Sequence, residues 1–138
     1  MLFGLRTIAA LMILWAAMAV PAQAQSKLVA GSKWVNEVGS VLTIEKVGSN
    51  GMLSGTFLSQ IGCGHGKPQP MTGWFYPGKS GGAITFSVIW RDCDSVTAWV
   101  GQYNYSSNVF STLWYLSFAA LPAWNGIAAG SDLFKPQK

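Results

Sequence analysis

The sequence predicts an all-β domain, and within that class an eight-stranded antiparallel up-and-down β-barrel, from three features of its pattern. Beyond residue 24 the chain is a succession of short alternating or apolar runs, and none sustains the 3.6-residue period of an amphipathic helix. Turn-forming, mostly glycine-bearing stretches part these runs at short intervals. Runs joined mainly by tight turns pair each strand with the next, which favours the up-and-down barrel. A Greek-key sandwich is the alternative use of the same strands.

The elements follow in order. The first strand is placed at residues 33–37 and the second at 41–47, with the short loop 38–40 between them. "GSNG" at 48–51 is a turn signal that opens the third strand, 52–59. A long loop, 60–70, carries glycines and prolines and precedes the fourth strand, 71–76. "PGKSGG" at 77–82 turns the chain into the fifth, 83–90, where Ile84, Phe86, Val88 and Trp90 share one face. "RDCD" at 91–94 leads to the sixth strand, 95–105, with Ser95, Thr97, Trp99 and Gly101 on a face. "SSN" at 106–108 leads to the seventh, 109–118, with Thr112, Trp114 and Leu116 aligned, and "AALPA" at 119–123 precedes the eighth, 126–134.

The fourth turn contains a false lead. "GWFYPGKS", residues 73–80, spells G-x-x-x-x-G-K-S, the pattern of a phosphate-binding loop. Such a loop needs small residues and a following helix whose N-terminus faces the phosphates. Here Trp74, Phe75 and Tyr76 are bulky, and Gly81-Gly82 favour a hairpin over a helix start. The segment is therefore expected to be a β-hairpin.

The first 24 residues carry one early cation (Arg6), an apolar run from Ile8 to Val20, and Ala22-Gln23-Ala24 as a small-x-small cleavage site. They predict a signal peptide over 1–24 and a secreted or periplasmic domain over 25–138. The run is short for a bilayer-spanning helix of ~20 residues, so no membrane association is expected. Without Arg6, eight Lys/Arg face five Asp/Glu and are scattered along the chain, which argues against nucleic acid as a partner. Export also places the only two cysteines, Cys63 and Cys93, where a disulfide persists. In an up-and-down barrel the connections after odd-numbered strands share one end, and both cysteines lie in such connections.

Ser95, Thr97 and Thr112 share faces with large apolar and aromatic residues, and buried hydroxyls need partners. They bond either to neighbouring backbone or to a polar ligand held between indole walls, and a small barrel can hold one such ligand. His65 is the only histidine, with both thiols expected to be oxidised, so no metal site is expected. Ser95, His65 and Asp94 formally offer a catalytic set, but nothing in their spacing fixes a geometry. No catalysis is expected. Asn104-Tyr105-Ser106 is a glycosylation sequon.

"GSKWVNEVGSVLTIEKV", "GMLSGTF", "FSVIW", "SVTAWVGQY", "STLWYL" and "GSDLF" occur in an order, across nearly the whole mature chain, that resembles the avidin and streptavidin biotin-binding proteins. The resemblance implies an avidin-like barrel that binds biotin as a ligand, with no cofactor. It implies Asn36 and Ser40 as donors to the ureido oxygen, Ser59 and Asp132 as acceptors for the two ureido N–H groups, Thr97 beside the ring sulfur, and Ser95 at the valerate carboxylate. Trp90, Trp99 and Trp114 match the indole walls, and Val38, Ile61 and Leu116 the apolar lining. Phe57 stands where the family usually has a tyrosine, which removes one hydrogen bond to the ureido oxygen. Cys63 and Cys93 resemble the disulfide of the dimeric branch, whereas Trp124 matches in spacing a tryptophan that caps a neighbouring subunit's pocket in tetramers. The implied partner is a second copy of the chain, with a dimer favoured over a tetramer. A lipocalin-like carrier of another small ligand and a secreted protein-interaction module are the alternative functions.

Overall fold

The computed structural model describes residues 27–119 and 125–138. The expected signal peptide and Trp124 lie outside the described residues. The strands are β1 (Lys33–Val35), β2 (Val41–Val47), β3 (Met52–Leu58), β4 (Pro68–Pro77), β5 (Gly81–Trp90), β6 (Ser95–Asn104), β7 (Val109–Phe118) and β8 (Ile127–Pro136). Each pairs antiparallel with the next, and β8 pairs with β1 to close the barrel. This is the expected up-and-down topology, and closure rules out the sandwich. The described residues contain no α-helix, only a single 3-10 turn at Arg91–Cys93.

Several strand ends differ from expectation by one to three residues, and at β1 and β4 the reason is visible in the hydrogen bonding. β1 stops at Val35, before Asn36, because Asn36 begins a turn. Its backbone N–H donates to Ser40 O at 3.0 Å, its side-chain oxygen accepts the Ser40 N–H at 2.8 Å, and Gly39 takes a φ of +83° that suits glycine. β4 begins three residues earlier than expected, at Pro68. Pro68–Pro70 pair only with β3, while pairing with β5 starts at Met71, so the N–H groups that proline lacks are not needed on that side. Residues 73–80 form the hairpin: β4 runs to Pro77 and β5 begins at Gly81, with the Gly78 N–H donating to Gly81 O at 2.6 Å.

Strand alternation places the core. Ile84, Phe86, Val88 and Trp90 of β5 are all buried, as are Ser95, Thr97, Trp99 and Tyr103 of β6. Trp34, Tyr103, Phe110 and Phe134, each 1 % exposed or less, form an aromatic plug. Trp34 lies 5.0 Å from Phe110, which stacks on Phe134 at 4.8 Å. Full burial of such side chains stabilises by roughly 1.5–3 kcal/mol each. The plug fills the end of the barrel where the turns after even-numbered strands lie, and the other end is left hollow.

Candidate functional site

The hollow end is a cavity of about 420 Å³, and its wall contains Asn36, Val38, Ser40, Phe57, Ser59, Ile61, Trp90, Ser95, Thr97, Trp99, Trp114, Leu116 and Asp132. Every residue assigned to the pocket by resemblance is thus brought to one cavity, and Gly62, Cys63, Phe118 and Ser131 join them. They arrive from two kinds of position. β5, β6, β7 and β8 supply Trp90, Ser95, Thr97, Trp99, Trp114, Leu116 and Asp132 by alternation. The sets Asn36/Val38/Ser40 and Ser59/Ile61 lie instead in the turns beyond β1 and β3, so strand parity is not what aligns them.

Asp132 organises one side. Its carboxylate accepts from Trp99 Nε1 at 2.8 Å and from Asn36 Nδ2 at 3.1 Å, and the Thr112 hydroxyl donates to the Asp132 backbone carbonyl at 3.2 Å. Burial pushes its pKa above the ordinary carboxylate value; the bonds from Trp99 and Asn36 oppose that shift, and nearby Glu37 adds to it. Asn36 Oδ1 meanwhile holds the Ser40 N–H. On the other side, Ser40 Oγ accepts the Gln60 N–H at 3.0 Å, which leaves its own proton to donate. Ser59 Oγ donates to Ile61 O at 2.6 Å, and Thr97 Oγ1 accepts from Trp90 Nε1 at 2.8 Å. The Ser95 hydroxyl has no hydrogen-bond partner among the described residues.

These bonds fix the side chains and leave part of their hydrogen-bonding capacity unused. Ser40 O–H and the second Asn36 N–H remain as donors; Asp132 and Ser59 retain acceptor lone pairs. A urea presents the complement, one acceptor oxygen flanked by two N–H donors. Around this polar cluster stand Trp90, Trp99 and Trp114, with Phe57 only 3 % exposed and 4.9 Å from the Trp99 ring. Phe57 brings no hydroxyl.

Two glycines that sequence reading passed over shape the walls. A Cβ on Gly130 would sit 2.3 Å from the Trp114 ring, and one on Gly64 would sit 2.6 Å from Trp90. Gly130 is the β8 partner of Trp114, so only the register between strands reveals its role. Gly64 also has a φ of +77°, and its loop is tied down by the Cys63–Cys93 disulfide, with Cα atoms 6.2 Å apart. An exposed ion pair, Lys67 to Asp92 at 3.2 Å, joins the same two loops and adds little to their stability. Among the described residues no cluster of His, Cys, Asp or Glu could hold a metal, and no hydrogen bond links the exposed His65 to Ser95 or Asp94.

Comparison with known proteins adds to this geometry. The profile of the avidin family matches residues 24–137. Hoefavidin of Hoeflea phototrophica is 36% identical over 125 residues, covering 78% of this chain and 73% of that protein. The crystal structure of core-bradavidin superimposes with a TM-score of 0.72 at 45% identity, covering 77% of this chain and 98% of that one. A shwanavidin variant solved in complex with biotin gives a TM-score of 0.71 at 31% identity, over 82% of this chain and 100% of that one.

Proposed function

The chain belongs to the avidin family, whose members are binding proteins and not enzymes, and on that premise we propose that it captures biotin in the cavity at the hollow end of the barrel. The observation that carries the proposal is the match between the ureido group and the unused hydrogen bonds of Asn36, Ser40, Ser59 and Asp132. In this reading Ser40 and Asn36 donate to the ureido oxygen, and Ser59 and Asp132 accept its two N–H groups. Trp90, Trp99 and Trp114 enclose the rings, Thr97 lies by the sulfur, and Ser95 offers its unpaired hydroxyl to the carboxylate tail. Apolar Val38, Ile61 and Leu116 exclude water, which strengthens each polar contact. The absent hydroxyl at Phe57 costs one hydrogen bond, about 1 kcal/mol.

The same reading has the leader exporting the protein, the disulfide forming after export, and two copies associating. Support for association comes from the outer face: β4, β5, β6 and β7 contain no charged residue, and Trp74, Val100, Leu113 and Tyr115 are each more than half exposed on them. A face that exposes large apolar side chains and carries no charge is suited to association.

Thermal unfolding of the mature, oxidised protein with and without excess biotin tests the proposal, because a ligand that binds only the native state stabilises it by RT ln(1 + [L]/Kd). The expected result is a large upward shift in Tm, diminished by Ser40→Ala and more strongly by Asp132→Ala. Loss of charge-assisted hydrogen bonds at Asp132 should weaken binding by roughly 1.5–3 kcal/mol, about ten- to a hundredfold. An unchanged Tm at saturating biotin would falsify the assignment.

A further inference from the structure

The topology sorts charge by barrel end. At the plugged end, in the segment before β1, in the turns after even-numbered strands, or within a residue or two of them, lie Lys27, Lys33, Lys46, Lys79, Lys135 and Lys138, all exposed. Glu45 is the only acidic side chain there. The hollow end carries Lys67 and Arg91 against Glu37, Asp92 and Asp94, with Asp132 inside. Among the described residues the single ion pair, Lys67 to Asp92, is also at the hollow end, so none of the plugged-end lysines is neutralised by a partner.

Part of this charge is concentrated. Lys27, Lys33 and Lys138 line one concavity of about 540 Å³ together with Ser32, Asn108 and Gln137, and no acidic side chain lines it. The backbone beneath is pinned: the Lys27 N–H donates to the Tyr103 hydroxyl at 3.2 Å, and the Gln137 N–H donates to Lys33 O at 2.9 Å.

We infer that the plugged end of the barrel is a docking surface for an anionic polysaccharide, whose sulfate or carboxylate groups are held by Lys27, Lys33 and Lys138. Lysine presents a strongly hydrated point charge with three donors, suited to such groups without demanding one geometry. The side-chain amides of Asn108 and Gln137 suit the neighbouring sugar hydroxyls. Exposed Val29, Val47, Met52 and Tyr76 flank the turns at this end, so a bilayer is the rival surface; the saccharide is favoured because the lysines surround a concavity that also carries the amides of Asn108 and Gln137. Docking at this end leaves the cavity facing away from the surface. The inference does not depend on which small molecule the cavity takes.

Heparin is the probe. The mature protein should be retained on immobilised heparin at low salt and released as salt rises. The double variant Lys27→Gln/Lys33→Gln should elute earlier and bind heparin roughly tenfold more weakly. Lys67→Gln/Arg91→Gln, the same change in net charge at the opposite end, should elute with the wild type. Lys138→Gln, outside every strand, serves as a second variant that leaves the barrel's pairing intact and should weaken binding about threefold. Equal losses in the two double variants would show that net charge alone is sensed and overturn the inference, as would a wild type that is not retained. Tighter binding to phosphatidylserine vesicles than to heparin would overturn it in favour of a bilayer.

Discussion

Asp132 ties the electrostatics of the barrel to the cavity it lines. Burial raises its pKa, and the donors Trp99 and Asn36 only partly compensate. Between the unfolded-chain value and the raised native one, the native protein holds more protons than the unfolded chain, so its stability falls as pH rises through that window. Above that window the ionised carboxylate lowers the stability of the empty barrel. A ligand that donates an N–H to the carboxylate favours the ionised form and expels the proton. Biotin affinity should consequently weaken as pH falls through the raised pKa, and Asp132→Asn should bind less tightly but with a flatter pH profile. Titration calorimetry from neutral to acidic pH checks this; a slope that survives in Asp132→Asn would assign it to another group. At this scale Ser95 and Thr97 were legible because hydroxyls that share a strand face with tryptophans stand out in sequence, whereas Asn36, Ser40, Ser59 and Asp132 came only from the family resemblance. The Asn36–Asp132 bond, spanning 96 positions, and the fit of Gly130 beneath Trp114 were not legible, because both depend on register between distant strands.

At the scale of elements, the loop between β3 and β4 is tied covalently to the connection after β5. The Cys63–Cys93 bond spans 30 positions, Cys63 lines the cavity, and Gly64 lies against the Trp90 ring. Reduction should lower stability by roughly 3–4 kcal/mol in the chain-entropy model. It should also speed biotin release, since the loop would then have to be ordered by the ligand itself. Denaturant midpoints and dissociation rates with and without reductant measure both effects, and a reduced protein with unchanged release would limit the bond to a purely structural role. The eight strands themselves were readable from alternation and turns. Their ends were less so: Pro68 and Pro70 look like loop residues, yet an unpaired flank tolerates them, and the Asn36 turn truncates β1 by satisfying the backbone with a side chain.

Over the whole molecule, the missing charge on β4–β7 sets the expected assembly. Replacing Val100 with lysine places a charge in the middle of that face, directly paired with Leu113 of β7. Sedimentation equilibrium should show a dimer for the wild type and a monomer for Val100→Lys, with the barrel intact by circular dichroism. A wild-type monomer, or a variant that stays dimeric, would move the interface elsewhere. Barrel closure was predictable in outline, but the sorting of lysines to one end was not. Scattered in sequence, they converge because an up-and-down chain returns every second turn to the same end.

The seam at which the barrel closes is its shortest, with only Trp34–Pro136 and Val35–Lys135 in register between β1 and β8. The chain enters β1 and leaves β8 at the same end, so a force applied to the two flanking segments acts across that seam and loads its hydrogen bonds one after another. The barrel is thus mechanically weak along one direction, whatever its resistance to heat. Immobilisation through one flank spares this line of weakness, whereas tethering through both turns it into a tear strip.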